Sequence, residues 1–213
     1  MPYPPQHRDA IRVRIIESAQ ALFNRRGFTD VSIDQVMARA GLTRGGFYTY
    51  FRGKSDLYAE AVERTLAITP WSRWSGVSID FAAREAAEQV IEAYLSREHF
   101  EDIEGSCPMV TLPSDVARSG PVVKRAFERV FSAMTEVFEE ALRREGRPDE
   151  RLAMAIAGIC VGAMVVSRSV DSPDLAAAIR AAARHTALEL GGWGSSRPRR
   201  RRGGSQQRSR PLR

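Results

Sequence analysis

The sequence predicts an all-α protein, on three observations. Apolar residues recur at spacings of three and four in one segment after another. Helix-start signals stand where those stripes begin: Ser32 with Gln35 three residues on, Pro121, and Ser172-Pro173-Asp174. Glycines stand where they end, at Gly27, Gly41, Gly146 and Gly191-Gly192.

The first helix is expected over about Arg8 to Arg26, with Ile11, Ile15, Ala19, Leu22 and Phe23 on one face. Arg8, Arg12 and Arg14 on it are either phosphate contacts or solvated charges. A second helix starts at the capping box Ser32/Gln35, buries Val36, Met37 and Ala40, and stops at Gly41, which can turn the chain in the left-handed conformation. Thr43 is placed to cap a third. Leu42, Phe47 and Phe51 would anchor that third helix, while Thr43, Arg44, Tyr48 and Tyr50 face outward. Hydroxyls and a guanidinium at a helix N-terminus suit phosphate oxygens and base edges of DNA. The first helix is needed to complete this core, because two short helices bury too little to hold a fixed geometry.

A connector helix follows over Asp56 to Thr69 and breaks at Pro70. Trp71 to Ser78 reads as a loop, and a helix is expected over about Asp80 to Phe100. Pro121 opens a long helix reaching Arg144, with a Phe/Met stripe that includes Phe127, Phe131 and Met134. Such a stripe is packing, or the wall of an apolar ligand cavity. Trp71 and Trp74 either line that cavity or cover the edge of the core. Asp149 to Val170 is apolar almost all round, and the alanine-rich helix after Ser172 runs to about Leu190. Small residues let helix axes come close, so these two helices either pair with their copies in a homodimer or form a buried hairpin within one chain.

The string R-x-x-I-I-x-x-A-x-x-L-F-x-x-x-G-F-x-x-V-S-I-x-x-V-x-x-x-A-G-L-T-R-G-G-F-Y-x-Y-F-x-x-K-x-x-L, Arg12 to Leu57, resembles the N-terminal domain of the TetR/AcrR family of transcriptional regulators. The resemblance implies DNA contacts from Ser32 on the supporting helix, from Thr43, Arg44, Gly45, Tyr48 and Tyr50 on the recognition helix, and from Lys54 to backbone phosphate. Gly46 departs from the family pattern, which usually has a side chain there. Either the backbone approaches DNA closely at Gly46, or reading falls mainly to Arg44 and Thr43. The resemblance also implies dimerisation through residues 149–170 and 172–190, and it allows Cys107 as a thiol sensor of electrophiles, against the alternative of a small core residue.

The division that follows is a flexible 1–7, a helix-turn-helix DNA-binding domain over 8–55, a ligand-binding and dimerisation domain over 56–190 with its connector at 56–69, and a disordered arginine-rich tail over 191–213. Charge divides the same way. Residues 1–54 carry nine Lys/Arg against four Asp/Glu, and residues 191–213 carry eight Arg and no acid, which leaves the +6 chain with an acidic body. The tail is either a source of salt-dependent attraction to DNA or a solvated appendage.

Expected partners are double-stranded DNA carrying a palindromic operator, a small apolar or aromatic effector, and a second copy of the chain. Candidate effector contacts are Trp71, Trp74, Tyr94, Phe100, Cys107, Met109, Phe127, Phe131 and Met134. No cofactor, metal site or catalytic residue is expected: phosphate-cradling loops and metal-ligand spacings are missing, and His7, His99 and His185 are scattered. Cytoplasm is the expected location, since no apolar run reads as long enough for a bilayer and Met1 to His7 is polar and proline-rich. A non-specific architectural protein working through the tail is the alternative.

Overall fold

The computed structural model describes residues 5–68 and 70–194, and among these it is helical without strands. The flexible segment expected at the N-terminus falls largely outside the described residues, as does the arginine tail beyond Gly194.

Helix α1 (Pro5–Arg26) is the axis of the N-terminal unit, with Ile15, Ala19 and Phe23 fully buried against α2 (Ile33–Arg39) and α3 (Lys54–Ala67). The capping box is complete: Ser32 Oγ accepts from Gln35 N at 3.2 Å and Gln35 Oε1 accepts from Ser32 N at 2.8 Å. Gly41 takes φ +68°, and Leu42 N reaches back to Met37 O at 2.8 Å, closing α2 as its sequence requires. The third element differs from expectation. Arg44–Thr49 is a 3₁₀ helix, and Thr43, although extended at its start, makes no side-chain cap. Two adjacent glycines cost an α-helix about 1 kcal/mol each, and no cap offsets that, so only Phe47, fully buried, pins the segment.

Helix α3 joins the two units. Leu57, Tyr58, Ala61 and Val62 are buried along it, and the ion pairs Arg12–Glu60, Glu17–Arg64 and Glu63–Arg129 tie it to α1 and to α8 (Pro121–Arg144). The single helix expected over 80–100 is instead turns to Glu85, then α4 (Ala86–Tyr94) and α5 (Arg97–Glu101). Ser96 causes the break: its hydroxyl accepts from His99 N at 3.1 Å and starts a new helix. Two short helices, α6 (Pro108–Thr111) and α7 (Pro113–Arg118), each open on a proline.

Helices α9 (Glu150–Arg168) and α10 (Pro173–Gly191) form an antiparallel hairpin against α8, capped by Asp149 and Ser172. Contrary to expectation, α9 is long and apolar enough to cross a membrane by length and composition, with mean hydropathy 1.6. One of its faces packs on the core through Ile156, Cys160 and Met164, and the other is bare. On that bare side lie Met154, Gly158, Gly162 and Val166 of α9, with Leu175, Ala178, Ala182 and Leu190 of α10. A Cβ built on Gly158 or Gly162 would meet nothing within 4 Å, so their smallness serves no contact inside this chain.

Trp193 corrects the boundary drawn for the tail. It is 6% exposed, folded back beneath Gly192 at φ +72°, with its ring stacked on Phe138 at 6.0 Å. We expect Trp193→Ala to cost about 3–5 kcal/mol of stability, the range for a buried large-to-small change. Chemical denaturation checks this, and an unchanged midpoint would place Trp193 outside the core.

Candidate nucleic-acid interface and ligand cavity

The surface expected to read DNA is built by α2 and the 3₁₀ turn. Ser32, Thr43, Arg44, Gly45 and Tyr48 are exposed on it, and Tyr48, 64% accessible, rests edge-on against Phe47 at 5.2 Å. Arg44 Nη1 lies 2.9 Å from Asp34 Oδ2. Tyr50, read as outward, is half-buried against the core at the end of the turn, because the tighter 3₁₀ winding rotates it inward. Gly45 and Gly46 have no positive φ, and a Cβ would meet nothing at Gly45 and only the Met37 methyl, at 3.7 Å, at Gly46. Packing therefore does not demand either glycine.

Lys54 opens α3, with its ammonium 4.2 Å from the Phe28 ring centre and 3.4 Å from Thr29 O. Burial draws its pKa below the ordinary lysine value, while Asp115 and Asp30 oppose the shift. Arg8 donates to Thr49 O at 3.2 Å, and Arg12 is engaged by Glu60 and the Phe51 ring, which leaves Arg14 the most open of the three.

Behind this head, the end of α3, residues 68 and 71–81, α4, α5, α6 and α8 border a cavity of about 300 Å³. Six of the nine residues expected at a ligand line it: Trp71, Trp74, Tyr94, Cys107, Met109 and Met134. Phe100, Phe127 and Phe131 lie elsewhere. Phe100 sits beneath the Arg180 guanidinium at 4.0 Å, and the other two are half-buried residues of α8 packed against the core outside the cavity lining. Sequence reasoning missed Phe81, Val90, Val137 and above all His99.

His99 is 1% exposed, and burial pulls its pKa down to about 4 despite the hydrogen bond to Tyr94 O. Nδ1 stands 2.6 Å from that carbonyl, so Nδ1 carries the proton and Nε2 accepts from Ser106 Oγ at 3.2 Å. Ser106 Oγ in turn accepts from Arg168 Nη1 at 2.8 Å. Trp74 stacks on the imidazole at 5.0 Å and donates to Asp102 Oδ2 at 2.9 Å. With His99 neutral, no lining side chain is charged. Cys107 does not fit a reactive thiol: burial pushes it up to about 11, overriding its place at the start of a four-residue helix. Cys160 is pushed up to about 12 by the same cause.

The strap 102–107 links this cavity to the reading head. Asn24 of α1 donates to Glu104 O at 3.0 Å and Ser106 O at 2.9 Å and accepts from Thr111 Oγ1 at 2.8 Å. Glu104 pairs with Arg25 and Arg39 at 3.0 and 2.7 Å. Arg168 also donates to the carbonyls of His99 and Phe100. The polar Asn24 beside Phe23 and the Arg168 ending an apolar helix were the available signals, but neither names its partner.

Residues 15–61 match the family of bacterial regulatory proteins called the tetR family, and residues 83–185 match the C-terminal domain of LmrA/YxaF-like transcriptional regulators. The regulator LmrA of Bacillus subtilis is 27% identical over 146 residues, covering 66% of this chain and 75% of LmrA. Other matches are shorter: the chain spans 30% of YfiR of Bacillus subtilis, at 31% identity, and 35% of SrpR of Pseudomonas putida, at 35%. Among solved structures, reduced E. coli NemR superposes with TM-score 0.67 at 19% identity, over 84% of this chain and 96% of NemR. SmeT in complex with triclosan gives 0.60 at 23%, over 84% and 90%, and RolR with resorcinol gives 0.53 at 22%, over 92% and 97%.

Two measurements follow from the cavity wall. Because His99 has a folded pKa near 4 against an ordinary 6.5, the unfolded chain binds the extra proton between those values, and stability falls as pH drops through that window. His99→Gln should therefore reduce the stability lost between pH 7 and pH 4 by about 3 kcal/mol; identical losses would mean the imidazole is not held neutral. A thiol reagent at pH 7.5 should leave Cys107 and Cys160 unmodified until denaturant is added, whereas rapid labelling of the native protein would contradict their burial.

Proposed function

From the chain's membership of the TetR/AcrR family of transcriptional regulators, we propose that it is a homodimeric repressor that binds a palindromic operator and is released by a small, uncharged apolar or aromatic effector. The observation that carries this reading is the joint exposure of Ser32, Thr43, Arg44, Gly45 and Tyr48 on the surface of α2 and the 3₁₀ turn. Arg44 and Thr43 read base edges, the unfilled space at Gly45 admits the DNA surface close to the backbone, and Lys54 holds a phosphate.

The bare face of the α9–α10 hairpin supports a dimer, since Gly158 and Gly162 leave room for a second helix pair at short range. Two-fold symmetry then sets the half-sites about 34–36 Å apart, or a multiple of it. The arginine tail adds sequence-independent attraction to the same DNA. Cytoplasm, where such DNA is found, is the matching location.

An uncharged wall admits a neutral guest, because an ion would enter without a counter-charge. Triclosan and resorcinol, bound in SmeT and RolR, are phenols and serve as first probes. A guest that displaces Trp74 or His99 shifts the strap held by Asn24 and the connector α3 together, and so alters the separation of the two heads. Release follows only so far as the guest prefers that altered state.

In a binding assay on duplex DNA from the chain's own upstream region, Arg44→Ala should lose about 1–3 kcal/mol of sequence preference. An unchanged footprint would remove this surface as the reader.

A further inference from the structure

Asp34 stands in the first turn of α2, where a carboxylate favours the helix dipole, but that small and solvent-screened effect does not require Arg44 as its partner. Ser32 and Gln35 already cap α2, and among the described residues the recorded partner of the Asp34 carboxylate is Arg44. The pair is solvent-exposed, with side-chain accessibilities of 65% for Arg44 and 56% for Asp34, and an ion pair that open contributes little to stability. An acid on the reading surface also works against it, because its charge repels phosphate. Among the described residues, the ion pair Asp34 makes on this surface is with the arginine that would meet the bases, so its charge bears on how that arginine is used.

We propose that Asp34 is a specificity-determining residue: it aligns the Arg44 guanidinium for guanine in the major groove and disfavours every other use of that arginine. The inference rests on the reading of this surface as the DNA contact. Arg44 and Asp34 come from two elements ten residues apart, and the bond of 2.9 Å uses one N–H of Nη1. A guanidinium has five N–H groups, so the remaining fork can still address O6 and N7 of guanine side by side. Neighbouring Gly45 and Gly46 place no side chain beside it, which leaves Asp34 as the group that restricts where Arg44 points. A fork already aligned loses less freedom on meeting guanine.

The same carboxylate acts in reverse at a wrong site. Where no guanine is presented, Arg44 would gain by swinging to a phosphate, and it must then leave Asp34 while the bare carboxylate faces the DNA backbone. Asp34 therefore raises the ratio of specific to non-specific binding from both ends. Its removal should move the two affinities in opposite directions, which loss of a merely structural residue would not do.

The test is selection from a pool of randomised duplexes by the full chain and by Asp34→Ala, Asp34→Asn and Arg44→Ala, followed by binding to the selected and to a scrambled duplex at two salt concentrations. The native chain should enrich a guanine at one fixed position in each half of its motif, and Arg44→Ala should lose it. Asp34→Ala should flatten that position, bind the scrambled duplex more tightly, and lower the ratio of the two affinities about tenfold. Asp34→Asn, which keeps an acceptor without the charge, should fall between them. Melting temperatures should match the native chain. Enrichment of the same guanine at an unchanged ratio by both Asp34 variants would overturn the proposal and leave the reading surface standing. Parallel loss of both affinities in both variants would mark a structural role and overturn it too. A native chain that enriches no motif would remove the DNA-reading function and this inference together.

Discussion

One buried amide holds the two halves of this molecule in register. Asn24 sits on the DNA-reading side, is 6% exposed, and spends its hydrogen-bonding capacity on Glu104 O, Ser106 O and Thr111 Oγ1 of the other side. Unpaired amide groups are costly inside a protein, so each alternative placement of α1 against the strap carries a penalty. Apolar contacts along α3 and α8 supply adhesion but tolerate sliding. The amide supplies the angle.

From that junction the other features acquire a direction. Arg168, at the end of α9, grips the opposite side of the same strap and hands a hydrogen bond through Ser106 to His99 in the cavity wall. Head, cavity and hairpin therefore meet within residues 99–107. Gly105 fits this crowding: a Cβ there would fall 1.9 Å from Arg73 Nη2. A contiguous hydrogen-bonded route of this kind has two ends that each ligand can bias, which is the physical requirement for a response at one site to binding at another.

The cavity and the reading surface obey opposite electrostatic rules. Around the cavity, burial keeps His99 neutral and holds the Cys107 thiol protonated, so among the described residues the wall carries no charge for a guest to meet. At the reading surface, Arg44 is offset by a single acid in open solvent and Lys54 rests on an aromatic face. Under the proposed function, the first place offers shape and apolar area, and the second offers oriented donors.

Much of this was legible locally. Ser32 with Gln35, Gly41, Pro121, Asp149 and Ser172 each mark a helix boundary that the structure keeps, because caps and left-handed glycines act within a few residues of chain. The motif from Arg12 to Leu57 likewise carried the identity of the reading head. What differed had two sources: the winding of Arg44 to Thr49, the inward turn of Tyr50 and the break at Ser96 follow from local glycines and a local cap, whereas Trp193 folding onto Phe138 was set by a distant partner. The sequence by itself determined most of the helix boundaries and the apolar stripes between them, since those follow from spacing along one chain. Only the tertiary structure decided that Asn24 and Arg168 share one strap and that His99 lies in the cavity wall, because a polar side chain's partner is chosen by what packing brings within 3 Å of it.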